Sequence, residues 1–240
     1  MLQVCALTDP GLVRKSNQDT FRVVPELGLY ILADGMGGAR GGEHASALAA
    51  DTVVSTLQRS QHRDAAALLG AVEAANDIVF SEARLDPNLE GMGTTIVAAL
   101  ETKANDVAIA SVGDSRAYVL HKGELRAITT DQTWVQEVGR GLGLSEEILR
   151  THPMRHVLTM AVGVGSAVRI LYYALELEPG DMLLLTTDGL HGVVTEPQIK
   201  AILQDADLSI EAKCERLMTA AHDGGSPDNV TVVLMTPARA

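Results

Sequence analysis

The sequence predicts an α+β fold, a β-sandwich of mainly antiparallel strands, on three observations. Short runs rich in Val, Ile, Leu, Thr and Tyr recur along the 240 residues, with the composition of strands rather than helices. Two of these runs, 117–120 and 124–128, flank "HKG", a tight turn that joins neighbouring antiparallel strands. Helical periodicity gathers in adjacent segments instead of alternating with single strands, which disfavours a parallel doubly wound sheet.

In chain order the strand candidates are "LQVCALT", "FRVVPE", "LYILAD", "TTIVAALE", "DVAIASVGD", "RAYVLHKGELRAIT", "VRILYYALEL", "DMLLLTTD" and "NVTVVLMT". Helices are expected over 42–57 and 64–85, where Ala, Leu, Val and Ile return at three- and four-residue spacing. Shorter helices are expected over 196–203, with Pro197 suited to a first turn, and over 209–221. The pattern weakens between 131 and 166, a glycine-rich insertion of the kind that more often serves a site than fills space. With no repeat, low-complexity tract or linker, residues 1–240 read as a single domain.

Composition narrows the function. At 46% hydrophobic residues the chain can bury a sizeable core. A formal net charge of −12 argues against binding nucleic acid, because phosphate-backbone binders carry basic patches. Aromatic residues make up 3%, with one Trp, which leaves little for stacking bases. No apolar run approaches the roughly 18 residues of a membrane span, and no charged-then-apolar leader opens the chain. Cys5 and Cys214 have no partner at a metal-ligand spacing and are expected to be ordinary buried thiols. The expectation is a soluble protein in a reducing, cytoplasmic setting.

Three aspartates repeat one construction. Asp34 in "LYILADG", Asp114 in "VAIASVGD" and Asp188 in "MLLLTTDG" each end an apolar strand and precede a small residue. Asp19 in "RKSNQDTF" and Asp228 in "SPDNVTVV" stand just before strands. Any one of them alone reads equally well as a turn or cap residue. Strand ends at one rim of a sandwich come close together, however, and converging carboxylates repel unless protonated, hydrated or neutralised by a hard cation such as Mg²⁺ or Mn²⁺. Asp9, Asp131 and Asp181 look similar locally and are read as turn residues. Arg14, five positions before Asp19, is a surface arginine taken by itself. Beside a carboxylate site it becomes a clamp for an anionic substrate.

The ordered set "RKSNQD", "ADGMGGARGG", "GMGTT", "SVGDSRAY", "HPMRHVLTMAVG", "LEPGDMLLLTTDGL" and "PDNVTVV" resembles the metal-dependent PP2C-type (PPM) protein serine/threonine phosphatases in their compact bacterial form. The resemblance covers nearly the whole chain. It implies a central β-sandwich flanked by helix pairs, with two tightly bound Mn²⁺ or Mg²⁺ ions at one rim. By resemblance, Asp34 bridges both ions and Gly35 offers its backbone carbonyl. Asp188 and Asp228 ligate one ion, Asp19 reaches the site through water, and Asp114 helps hold a weaker third. Arg14 matches the phosphate-binding arginine, and 131–166 contains the flap beside the site. The implied reaction is hydrolysis of phosphoserine and phosphothreonine in proteins by a metal-activated water, opposing a bacterial Ser/Thr kinase, in a monomer.

The chain also departs from that pattern. Many members place a histidine near the "DGMGG" loop, where Met36 and Ala39 stand here. His44 follows on a helix and reads as a solvated or capping residue. The flap's usual Asp-His-Thr/Ser is Asp131-Gln132-Thr133, and His152 and His156 are expected to be structural. Two other readings compete with the phosphatase. A catalytically silent phosphoprotein-binding module would not need the full aspartate set. A nucleotide-binding reading of "GMGGARGG" lacks the following Lys-Ser/Thr and places Asp34 where a phosphate would be repelled.

Overall fold

Eleven strands and six helices make up the described part of the computed structural model, residues 2–103 and 106–238, without the side chains at positions 38–40, 146 and 150. The strands are β1 (Leu2–Asp9), β2 (Asp19–Val24), β3 (Leu29–Met36), β4 (Gly93–Thr94), β5 (Ile96–Lys103), β6 (Asp106–Val112), β7 (Arg116–His121), β8 (Glu124–Ala127), β9 (Leu171–Glu176), β10 (Met182–Thr186) and β11 (Val230–Pro237). The helices are α1 (Gly38–Arg59), α2 (Ala65–Leu85), α3 (Glu146–Thr151), α4 (Asp188–His191), α5 (Glu196–Gln204) and α6 (Ile210–Asp223). One sheet has the order β1-β11-β10-β7-β8 and the other β2-β3-β5-β6-β9, with β4 alongside β3. The paired strands all run antiparallel.

The near-continuous apolar runs have a direct cause, since each sheet is covered on both faces. Along β3 the side chains alternate between layers. Leu29, Ile31 and Ala33 join the cluster under α1 and α2, while Tyr30 and Leu32 join the cluster between the sheets. In β7, Ala117 and Val119 face that same middle layer, and Tyr118 and Leu120 pack under α5 and α6. Three apolar layers therefore separate four layers of structure, helix pair, sheet, sheet, helix pair. A strand with one wet face would alternate with polar residues, and these do not.

The expected helices form, with shifted ends. The first starts at Gly38 rather than 42, because the glycine cluster enters the helix instead of preceding it. The second is capped by Asp64, which accepts from the Ala67 amide. Thr195 and Gln198 form a capping box ahead of α5, with Pro197 in the first turn. Two short helices went unforeseen. One is α4, on "DGLH" directly after β10; the other is α3, inside the 131–166 insertion. Cys214 is buried as expected, but Cys5 is only half-buried, so the expectation of two buried thiols holds for one. No described helix is long and apolar enough to cross a membrane.

Candidate active site

The rim where β3 ends, β10 passes into α4 and β11 begins carries the predicted aspartates. Asp19 and Asp34 are register partners on β2 and β3, an arrangement of like charges that weakens a sheet unless something neutralises it. Asp188 opens α4, Asp228 precedes β11, and Asp114 sits in the β6–β7 turn after Gly113, whose φ of +95° a side-chain-bearing residue rarely adopts. Arg14, Asp34, Gly35, Asp114, Asp188 and Asp228 together line one cleft of about 1310 Å³. Asp19 is buried and is not among the residues that line it.

The main chain around these carboxylates is pinned. Asp34 donates its N–H to Thr95 Oγ1 at 3.0 Å, and its carbonyl accepts from Thr94 Oγ1 at 2.8 Å and Thr95 N at 2.9 Å. A Cβ at Gly35 would lie 2.0 Å from the Gly42 carbonyl oxygen, so only glycine lets α1 press against the end of β3. Asn229, buried, accepts from Gln18 N at 2.9 Å and donates to the carbonyls of Pro10 and Ser16, each at 2.9 Å. That residue fixes the loop bearing Arg14 to the start of β11.

Electrostatically the floor is under tension. Burial, and then the neighbouring Asp188 and Asp228, push Asp19 up to about 7, against hydrogen bonds from Thr231 and Thr187. Burial also pushes Asp114 up to about 7, helped by Asp188 and Asp131 and opposed by Arg116. Asp34 lies well above the usual carboxylate range, from burial and then from Asp19, Asp188, Asp114 and Asp228. Asp188 is raised by burial and by Asp228. Thr187 and Thr231 hydroxyls both donate to Asp19 Oδ2, at 3.0 and 2.7 Å. Asp19 Oδ1 and Asp188 Oδ1 are buried without a partner.

An all-oxygen donor set, mutual repulsion and two orphaned buried carboxylate oxygens fit a hard divalent cation. Among the described residues no three His, Cys, Asp or Glu side chains are grouped closely enough, as they stand, to hold a metal ion. The aspartates instead ring an open cleft, an arrangement with room for water and substrate.

Several residues play parts the sequence reading did not assign. Asp131 is no turn residue: it lines the cleft and receives two bonds from Arg116, Nε at 2.8 Å and Nη2 at 2.6 Å. Its partner is fifteen positions away, beyond any local turn signal. Gln132 is fully buried, accepting from Gly113 N and donating to the Arg169 carbonyl, both at 2.8 Å. The two ends of its amide thus bind the Asp114 turn to the segment leading into β9. His152 is structural, stacked on Trp134 at 4.3 Å between ring centroids. His156 departs from expectation: it is exposed, lines the cleft and favours ionised Asp188. His44 bridges α1 to α2 through Glu82 at 2.6 Å. Met36 lines the cleft, whereas the side chain of Ala39 lies outside the described residues. His191 lines the cleft with Nε2 buried and unpartnered.

The insertion borders the cleft. Its outgoing and returning chains meet at a Thr133–Leu158 bridge, with Trp134 N donating to the Val157 carbonyl at 2.8 Å and Thr159 N to that of Gln132 at 2.9 Å. Beyond this root come one wide turn over Val135–Gly139 and α3.

A four-layer antiparallel sandwich with a carboxylate-lined cleft at one rim defines the class, and residues 13–221 match the family described as protein phosphatase 2C. The chain belongs to that family. It is 37% identical over 235 residues to the serine/threonine protein phosphatase PstP of Mycobacterium tuberculosis (strain ATCC 25618 / H37Rv), covering 98% of this chain and 45% of that protein. It therefore spans about half the length of that relative. It is 34% identical over 241 residues to the serine/threonine phosphatase stp of Listeria welshimeri, covering 95% of this chain and 93% of that one. The catalytic domain of PstP solved with two manganese ions superposes with a TM-score of 0.87 at 35% identity, over 98% of this chain and 97% of that chain.

Proposed function

We propose that the protein hydrolyses phosphoserine and phosphothreonine in proteins, with two Mn²⁺ or Mg²⁺ ions held at the aspartate rim, and that it opposes a bacterial Ser/Thr kinase. The carrying observation is the convergence of Asp34, Asp114, Asp188 and Asp228 on one cleft, backed by Asp19, with two carboxylate oxygens buried and unsatisfied. The relatives' names and the manganese-bound neighbour support the same reading.

Asp34 and the Gly35 carbonyl would hold one ion, Asp34, Asp188 and Asp228 the other, and Asp19 would act through water. Asp114 would help hold a weaker third. When bound, such ions neutralise the phosphoryl oxygens and make water a stronger acid. The chain's own residues do the remaining work. Thr187 and Thr231 commit one oxygen of Asp19 and leave the other for the site. Arg14 supplies a guanidinium fork matched to two phosphoryl oxygens. Arg116, held by Asp131, keeps a positive charge beside Asp114 and Asp188. Met36 carries no proton to give a departing serine oxygen, and His44 is committed to Glu82; a water placed by Asp114 fills that role in this proposal.

A panel of phosphoserine and phosphothreonine peptides, assayed with Mn²⁺, with Mg²⁺ and with a chelator, tests the reading. Turnover must appear with the cations and vanish with the chelator. Peptide binding without turnover under every condition would instead establish a silent phosphoprotein-binding module.

A further inference from the structure

We infer that Arg14 and a divalent cation compete for Asp228, so that loading the cation is what releases Arg14 to a phosphate. The inference rests on the phosphatase reading above. Asp228 differs from Asp19 and Asp188 in having both oxygens engaged. Its Oδ1 accepts from the Asn229 N–H at 2.8 Å, and its Oδ2 accepts from Arg14 Nη2 at 2.7 Å. Asp19 and Asp188 each keep an oxygen without a partner. A cation reaching Asp228 must therefore share or displace an oxygen already in use.

The Asn229 amide hydrogen is fixed to its own backbone, so the movable partner is the guanidinium. Arg14 has a side chain 51% exposed, against 31% for Asp228, and it can swing away without disturbing packing. The loop beneath it stays in place, because Asn229 ties it down at Pro10, Ser16 and Gln18. Arg14 also stands close enough to feel the charges of Asp34 and Asp188. In the cation-free protein it serves as the internal counter-ion of the cluster. Once a dication takes that role, two like charges face each other across a few ångströms and the ion pair loses its advantage. The freed fork still lines the same cleft, where an incoming phosphoryl group meets it. Binding is then ordered, cation first and phosphate second.

The test is Mn²⁺ titration by calorimetry into chelator-stripped, full-length wild type, Arg14→Ala and Lys15→Ala, followed by inorganic phosphate titration with and without Mn²⁺. Arg14→Ala should tighten one Mn²⁺ site about three- to tenfold, the scale of the net hydrogen bond in a partly exposed ion pair. Lys15→Ala removes the same charge one position along and should change Mn²⁺ affinity less than about twofold, as expected of an exposed cation outside the pair. Phosphate should bind wild type at least about tenfold more tightly with Mn²⁺ than without, and Arg14→Ala should lose most of that gain. Equal or weaker Mn²⁺ binding by Arg14→Ala overturns the exchange alone. So does a Lys15→Ala effect as large as that of Arg14→Ala, which would make it a matter of net charge. Phosphate affinity in wild type that is the same with and without Mn²⁺ also overturns it. Failure of Mn²⁺ to bind wild type at all overturns the phosphatase reading with it.

Discussion

Replacing Asp114 by Asn should stabilise the cation-free protein, and by an amount that depends on pH. The carboxyl is pushed from 3.8 up to about 7, by burial first and then by Asp188 and Asp131. A folded-state pKa above the unfolded one means that the native state binds the proton more tightly. The stability contributed by the protonated carboxyl is therefore full at low pH and is lost as pH rises from about 4 to about 7. A shift of about 3 units at 1.36 kcal/mol each sets a ceiling of about 4 kcal/mol on the cost of ionising Asp114. Water and counter-ions in an open cleft reduce this to about 2 kcal/mol. Asn carries no such charge at any pH. In chelator at pH 8, Asp114→Asn should gain about 2 kcal/mol in urea unfolding, or roughly 4–8 °C in Tm for a chain of this size. At pH 5 the gain should shrink to less than half. With saturating Mn²⁺ it should shrink or reverse, because the cation offsets the same repulsion. An Asp114→Asn variant no more stable than wild type at pH 8 would refute the account of the cleft as charge-strained. A gain independent of pH would assign the effect to packing.

Asp34→Asn and Asp188→Asn should each abolish most phosphatase turnover while keeping the wild-type circular dichroism spectrum; full activity in either would sink the two-cation site. Asp114→Ala should depress turnover of a phosphothreonine peptide at least about tenfold more than that of nitrophenyl phosphate, whose leaving group departs without a proton, and equal losses would point to stability alone. Thr187→Val should destabilise the chelated protein by about 1–3 kcal/mol at pH 8, the scale of a hydrogen bond to a charged group, and should cost less at pH 3, where Asp19 is protonated in both states and the remaining loss is the bond that Thr187 Oγ1 accepts from Thr231 N. His44→Ala should leave peptide turnover near wild type, since its partner Glu82 joins two helices outside the cleft; a peptide-selective loss would make that histidine the proton donor.

The layers of the fold were legible because burial on both faces leaves a mark that short-range reading detects. Runs such as "LYILA" and "MLLLT" have no polar alternation to confuse with loops, and caps such as Thr195-Pro197-Gln198 are local. The aspartates were legible through repetition of one boundary context, which no single position would have revealed. What escaped was held by long-range partners. Asp131 looks like a turn residue until Arg116, on β7, is seen to bind it. Thr187, just past the end of β10, and Thr231, in β11, go unremarked until their hydroxyls converge on Asp19. Asn229 is hidden behind its neighbour Asp228, though it is the side chain that fastens the Arg14 loop. The insertion stayed opaque because its short turns carry no periodicity long enough to read, and for the same reason nothing local showed that His156 faces the cleft.

The chain's one tryptophan, Trp134, lies where the insertion leaves and rejoins the sandwich, stacked on His152. All intrinsic indole emission therefore originates at that crossing. Anything that tilts the insertion against the cleft changes the overlap of the two rings and so the quenching of the light. Stopped-flow fluorescence of the unlabelled protein on mixing with Mn²⁺ or a phosphopeptide would then report from the root of the insertion rather than from an average over the molecule.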